Sequence, residues 1–267
     1  MVRRAVQFKD AMNDIRHAPI RAYYEALFSA WGHQHWWPAQ SRFEVIVGTY
    51  LTQNTSWSNV EKALGNLRSA RRLTINGIRR TPQPELEQLI RSAGYFRQKA
   101  RRLKTFVNFL DDRYRGSPAR MFAQPTVELR NELLALNGVG PETADSILLY
   151  AGNHAVFVVD AYTRRILQRH GIVSRTTAYD DIRRLFEEAL ADEKATGIKT
   201  AGNKSRSAEP QGSGHHPSRM SRAERTPLAQ IFNEMHGLIV RVGKTYCLKS
   251  QPQCEHCPLQ KFLPQAE

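Results

Sequence analysis

Cysteine is scarce in this 267-residue chain: Cys247, Cys254 and Cys257 are the only three. Three thiols crowded at one end cannot pair into a disulfide framework. That excludes a disulfide-stapled scaffold and points to a reducing compartment. Long apolar runs are also missing. Val156-Phe157-Val158-Val159 is far too short to span a bilayer, and the first ten residues hold no apolar signal core. The expectation is a cytoplasmic protein without a membrane segment. Acidic residues are in deficit, 25 Asp and Glu against 39 Lys and Arg, which leaves a formal net charge of +14. Such an excess favours a polyanionic partner, and nucleic acid over membrane, because no basic amphipathic helix stands alone. Strand-like alternation is nearly absent, and no internal repeat is evident.

What is present is helical periodicity. Ser41 and Glu44 have capping-box spacing, and Phe43, Ile46, Val47, Tyr50 and Leu51 follow on one face. Further apolar stripes begin at Val60, Leu86, Leu103, Leu129, Ala144, Tyr179 and Leu228, so the fold reads as all-α. Between Glu193 and Thr226 the large apolar residues are Ile198 and Met220, in a background of Gly, Ser, Lys, Arg, Pro and His. That composition predicts a disordered insertion over 193–226.

The most informative segment is Leu133-Leu-Ala-Leu-Asn-Gly138-Val139-Gly140-Pro141-Glu142-Thr143. An apolar helix ends, two glycines turn the chain, and Pro141 opens a new helix. Free amides at that helix start can meet a phosphate. The segment, within a hairpin over 128–152, reads as a sequence-independent grip on a nucleic-acid backbone, with Gly138, Val139, Gly140 and Thr143 as contacts. Its bland counterpart is an ordinary glycine-capped turn. Downstream, Phe157-Val158-Val159 delivers Asp160 to the start of another helix. By itself such an Asp is most often a helix cap.

Together, the glycine hairpin and the Val159-Asp160 pair resemble the helix-hairpin-helix DNA glycosylases, the endonuclease III superfamily. Leu51-Thr52-Gln53-Asn54-Thr55 and Gly94-Tyr95-Phe96-Arg97-Gln98-Lys99-Ala100 also resemble segments of that family, and Gln53 joins the expected DNA contacts. The likeness runs from about Phe43 to Cys257. It implies a two-domain all-α fold. A six-helix barrel would take 43–155, and a second helical domain would take 1–42 plus 156–267 and end in a cysteine loop over 247–257. It also implies double-stranded DNA with a damaged base as partner, a monomeric enzyme, and base flipping into the cleft between the domains. By the same resemblance Asp160 is the catalytic carboxylate, which stabilises positive charge on the sugar or helps to activate water.

Two departures narrow the chemistry. Bifunctional members of the family carry a Schiff-base lysine two residues after the last hairpin glycine; here that position is Glu142. Adenine-mismatch members carry a general acid on the first barrel helix; the nearest matching position here is Thr49, and Glu44 reads as a capping residue. All four tryptophans, Trp31, Trp36, Trp37 and Trp57, fall early in the chain. Trp36-Trp37-Pro38, together with His236 and Lys244, resembles the 3-methyladenine glycosylase branch, where aromatic side chains sandwich the flipped base. Trp36, Pro38, Trp57 and Lys244 are therefore the expected base pocket, with core packing as the competing explanation for the tryptophans. The leading expectation is a monofunctional glycosylase for alkylated purines such as 3-methyladenine. A mismatch uracil/thymine glycosylase, an endonuclease III-type lyase, and a noncatalytic DNA-binding module are the rivals.

Cys247, Cys254 and Cys257 match the start of the family's Cys-x6-Cys-x2-Cys-x5-Cys iron–sulfur loop, but Leu263 occupies the fourth position. A [4Fe–4S] cluster with three protein thiolates, zinc held by Cys3His with His256, and a metal-free relic all remain open.

Overall fold

The computed structural model describes residues 18–191 and 217–264. Among these residues there is no strand, and no helix is long and apolar enough to cross a membrane. The described chain divides into two compact units. Trp37–His154 with Pro217–Ala223 form one; the described parts of Met1–Trp36, Ala155–His216 and Glu224–Glu267 form the other.

The first unit holds α2 (Arg42–Thr52), α3 (Trp57–Ser69), α4 (Ile75–Arg80), α5 (Gln83–Leu89), α6 (Phe96–Tyr114), α7 (Pro118–Phe122), α8 (Thr126–Leu134) and α9 (Pro141–Ser146). α9 runs on into a π-helical stretch, Ile147–Ala151. Every residue from Phe43 to Leu51 is buried, as expected of a helix surrounded by its neighbours. The predicted cap is real: Ser41 Oγ accepts from the Glu44 amide at 3.1 Å, while Glu44 Oε2 accepts from the Gln40 amide at 3.1 Å. Arg68 Nη2 neutralises the same buried carboxylate at 2.6 Å. Glu44 thus caps and pairs, and Thr49 donates its hydroxyl to the Val45 carbonyl at 2.9 Å.

The second unit contains a helix over 18–31, which is α1, then α10 (Ala161–Arg169), α11 (Tyr179–Leu190) and α12 (Pro227–Thr245). Its core includes a face-to-face stack of Phe157 on Phe186, centroids 4.0 Å apart, with Phe232 edge-on at 6.0 Å.

The sequence places the barrel segment from residue 43; the compact unit starts at Trp37, whose ring packs on Trp57 and Tyr150 with centroids 5.1 and 5.2 Å away. Of the insertion expected over 193–226, residues 193–216 lie outside the described residues. Its end is folded: Ser218, Met220 and Ser221 are buried. Ser218 Oγ donates to the Trp37 carbonyl at 3.1 Å, and the Met220 amide donates to the Ala39 carbonyl at 3.0 Å. Backbone bonding by small polar residues holds this segment, which hydrophobic counting cannot detect.

Candidate active site and nucleic-acid interface

The hairpin is built as the sequence suggests. α8 ends at Leu134, and the Val139 amide closes a turn onto the Leu136 carbonyl at 3.1 Å. Gly138 then adopts φ +80°, the left-handed region, and Gly140 stands as the extended N-cap of α9. Nothing lies within 4 Å of the place a Gly140 Cβ would occupy, so this face is open to an approaching backbone. The Val139 side chain is buried, so only its main chain could meet DNA. Gln53 and Thr143, both expected as DNA contacts, are engaged with the hairpin itself. Gln53 Nε2 donates to the Gly138 carbonyl at 3.0 Å and to Thr143 Oγ1 at 2.9 Å. Arg102, which sequence reading missed, donates from Nη1 to Gln53 Oε1 at 2.8 Å. Asp145, fully buried in α9, takes Arg130 of α8 in both oxygens, at 2.7 and 3.2 Å.

In the other unit, Asp160 is the N-cap of α10. Its Oδ1 accepts from the Thr163 amide at 2.7 Å and from the Thr163 hydroxyl at 2.9 Å. The cap reading is therefore correct, and it uses one oxygen. The other, Oδ2, faces His236 Nε2 at 3.5 Å. Burial alone would push this carboxyl up; the His236 imidazole and the two Thr163 donors outweigh it and hold the carboxyl below its ordinary range. A buried carboxylate kept ionised in this way can stabilise positive charge forming nearby.

α12 carries the neighbours of that carboxylate. Asn233 Nδ2 donates to the Trp36 carbonyl at 2.7 Å. The His236 ring lies 6.2 Å from the Trp36 ring, and Lys244 Nζ stands 5.9 Å above it. Of the expected base-pocket residues, the fold thus gathers Trp36 and Lys244 around the Asp160–His236 pair. Pro38 and Trp57 belong to the other unit, where Trp57 meets Trp37 edge-on. Asn233 and Thr163 carried no separate signal in the sequence.

Lys99 is no substitute for the absent hairpin lysine. Lys99 is buried, with Nζ donating to the Leu51 and Ala93 carbonyls at 2.9 and 2.8 Å. Burial, with help from the Arg102 charge, lowers it to about 8, but its ammonium is locked inside the helices and cannot reach a sugar.

The cysteine tail is a partial site. Cys247, Cys254 and Cys257 line one small cavity of about 20 Å³, and Leu263 closes the same cavity from the position of the missing ligand. That is room for about one water. Among the described residues no three His, Cys, Asp or Glu side chains are grouped closely enough to hold a metal ion. Arginines organise the loop instead. Arg169 Nη1 donates to Cys247 Sγ at 3.1 Å and to the Leu248 carbonyl at 2.7 Å, and Arg165 Nε donates to the Cys247 carbonyl at 2.8 Å. Cys247, Cys254 and Cys257, gathered on this cavity, are the residues that would hold a [4Fe–4S] cluster, and the chemistry below does not need one.

Comparison with known proteins identifies the family. Residues 47–192 match the family described as HhH-GPD superfamily base excision DNA repair protein. The chain is 38% identical over 253 residues to the “Putative DNA repair glycosylase” of Methanocaldococcus jannaschii, covering 94% of this chain and 98% of that one. Among solved structures, the H. pylori 3-methyladenine DNA glycosylase bound to 1,N6-ethenoadenine superposes with a TM-score of 0.68. It is 27% identical, covering 86% of this chain and 97% of that one. An endonuclease III trapped as a covalent DNA intermediate superposes with a TM-score of 0.66 at 22% identity, over 92% of this chain and 94% of that one, and this likeness speaks for the fold alone.

Proposed function

The chain belongs to the HhH-GPD superfamily of base excision DNA repair proteins and is a DNA-binding DNA N-glycosylase; on that premise we propose that it is monofunctional and removes alkylated purines of the 3-methyladenine kind. The observation that carries the reading is the Asp160 carboxylate, held ionised by Thr163 and His236 beside the Trp36–Lys244 face. The similarity to the H. pylori 3-methyladenine DNA glycosylase supports the substrate class.

In this reaction the bond between C1′ of the deoxyribose and the ring nitrogen of the base breaks. Its electron pair leaves with the base. A cationic alkylpurine thereby departs neutral and needs no proton, which suits a helix α2 whose candidate acid position holds Thr49. Positive charge grows on the sugar, and the Asp160 carboxylate stabilises it. Water then adds to C1′ and its proton is lost, to Asp160 or to solvent. An electron-rich indole such as Trp36 attracts the cationic base more than a neutral one.

The test is a panel of duplexes, each with one lesion, followed by alkali. Release of 3-methyladenine that leaves strands intact until alkali is added is the expected result. Selective release of uracil or thymine from mismatches, with alkylated purines untouched, overturns it. A companion experiment addresses the lyase step. With Glu142 in place of an amine and Lys99 locked away, borohydride should trap no protein on damaged DNA. A covalent adduct would show that another amine attacks the sugar.

A further inference from the structure

Arg102 lies on α6, in the middle of a helix that none of the hairpin residues belongs to. Its guanidinium is nevertheless applied directly to the hairpin. A Cβ built on Gly138 would run into Arg102 Nε and Cζ, so Gly138 is glycine for two reasons: its positive φ and the flush contact of this side chain. From the same guanidinium a chain of hydrogen bonds runs to both sides of the loop. Arg102 Nη1 donates to Gln53 Oε1 at 2.8 Å, and the Gln53 amide donates to the Gly138 carbonyl at 3.0 Å and to Thr143 Oγ1 at 2.9 Å. Gln53 therefore spans the turn, from the glycine that ends the first arm to the first turn of α9. Arg102 holds the Gln53 amide in the orientation that allows this, because its donor fixes which end of the amide is oxygen. Arg102 Nε is buried and finds no acceptor, a cost that a merely decorative surface arginine would not carry. All of these residues lie in one compact unit.

We propose that Arg102 is a positioning residue for DNA binding: acting through Gln53, it sets the hairpin in its backbone-gripping conformation without itself touching a phosphate. This rests on the hairpin being the DNA grip. Arg102 and Gln53 act as one device, so their contributions are coupled.

The experiment measures affinity for an undamaged duplex over a range of salt concentrations, with thermal melting of each variant. Arg102→Leu should weaken binding roughly ten- to hundredfold, the loss of a hydrogen bond from a charged donor. Its slope of log affinity against log salt should stay that of the unaltered protein. Loss of a direct phosphate contact would instead reduce the slope by about 0.9, and that result overturns the proposal. Gln53→Met, which changes no charge, should lose a similar factor, and the double variant should be no worse than either single. Independent, multiplying losses overturn the coupling. Arg102→Lys should recover part of the affinity. Gly140→Glu is the control for the hairpin itself: the new side chain enters open space at an unstrained φ of −94°, so it folds and repels the backbone. If Gly140→Glu binds normally, the hairpin is not the grip. If it fails to bind while Arg102→Leu binds normally, the hairpin reading stands and the positioning role of Arg102 is wrong.

Discussion

Asp160→Asn should reduce the single-turnover rate of base release by roughly 10²–10³, the cost of removing one preorganised charge-stabilising group. The structure makes this substitution unusually informative, because Asp160 has two duties carried by two oxygens. Oδ1 caps α10 through the amide and hydroxyl of Thr163, and Oδ2 faces His236. Asn is as good an N-cap as Asp, so the cap survives in Asp160→Asn while the charge is lost. Asp160→Ala loses both, and should melt lower by the worth of a cap, about 1 kcal/mol. Equal loss of activity in the two variants, with a lower melting temperature for Ala than for Asn, assigns the carboxylate to chemistry. If Asp160→Asn keeps near-normal release, Asp160 is only a cap. The pH dependence has a definite sign. The carboxyl is held below its ordinary value, so the stability it contributes is present above the unfolded pKa and is lost as pH falls through the folded one. Base release that depends on its ionised form should therefore show no acid limb from this group until below the ordinary carboxylate range.

What the sequence disclosed, and what it withheld, follows sequence distance. The Ser41–Glu44 cap, the Pro141 helix start, the glycine turn and the Asp160 cap are local arrangements, each fixed by residues within a few positions. Periodicity likewise marked nearly every helix. The brace on the hairpin joins Gln53, Arg102 and Gly138, which no local pattern connects. The motif that makes Gln53 an expected DNA contact carries no sign of the bonds its amide makes inside the fold, to the Gly138 carbonyl and Thr143 Oγ1. Trp36 and Trp37, adjacent in sequence, belong to different units: Trp36 meets Asn233 of α12, and Trp37 meets Trp57 and Tyr150. The cysteine spacing marks the loop but not the bonds that hold it, which come from Arg165 and Arg169, some 80 positions earlier.

Asp145→Ala should produce the largest loss of stability among single changes near the hairpin. Asp145 is fully buried, and its two oxygens accept from Nε and Nη2 of Arg130, so the pair staples α8 to α9 across the turn. Removing the carboxylate leaves a nearly buried guanidinium without its counter-charge. Breaking such a pair from one side costs about 3–5 kcal/mol, because the desolvation of the remaining ion is no longer offset. For a chain of this size each kcal/mol lowers the melting temperature by roughly 2–4 °C, so a fall of the order of 10 °C is expected. Arg130→Met should be similarly harmful, since it strands the carboxylate. The double replacement Arg130→Met with Asp145→Leu removes both charges and fills the space with apolar groups. It should recover much of the lost stability, because a buried ion pair seldom outperforms a well-packed apolar pair. That cycle separates two roles that a single variant confuses. If the double variant regains the melting temperature and also the duplex affinity, the pair matters only as a staple. If it regains stability but not affinity, the bidentate geometry itself sets the angle between the hairpin arms. A double variant as unstable as the singles would show that the space cannot be repacked, and would refute the view that charge isolation dominates the loss.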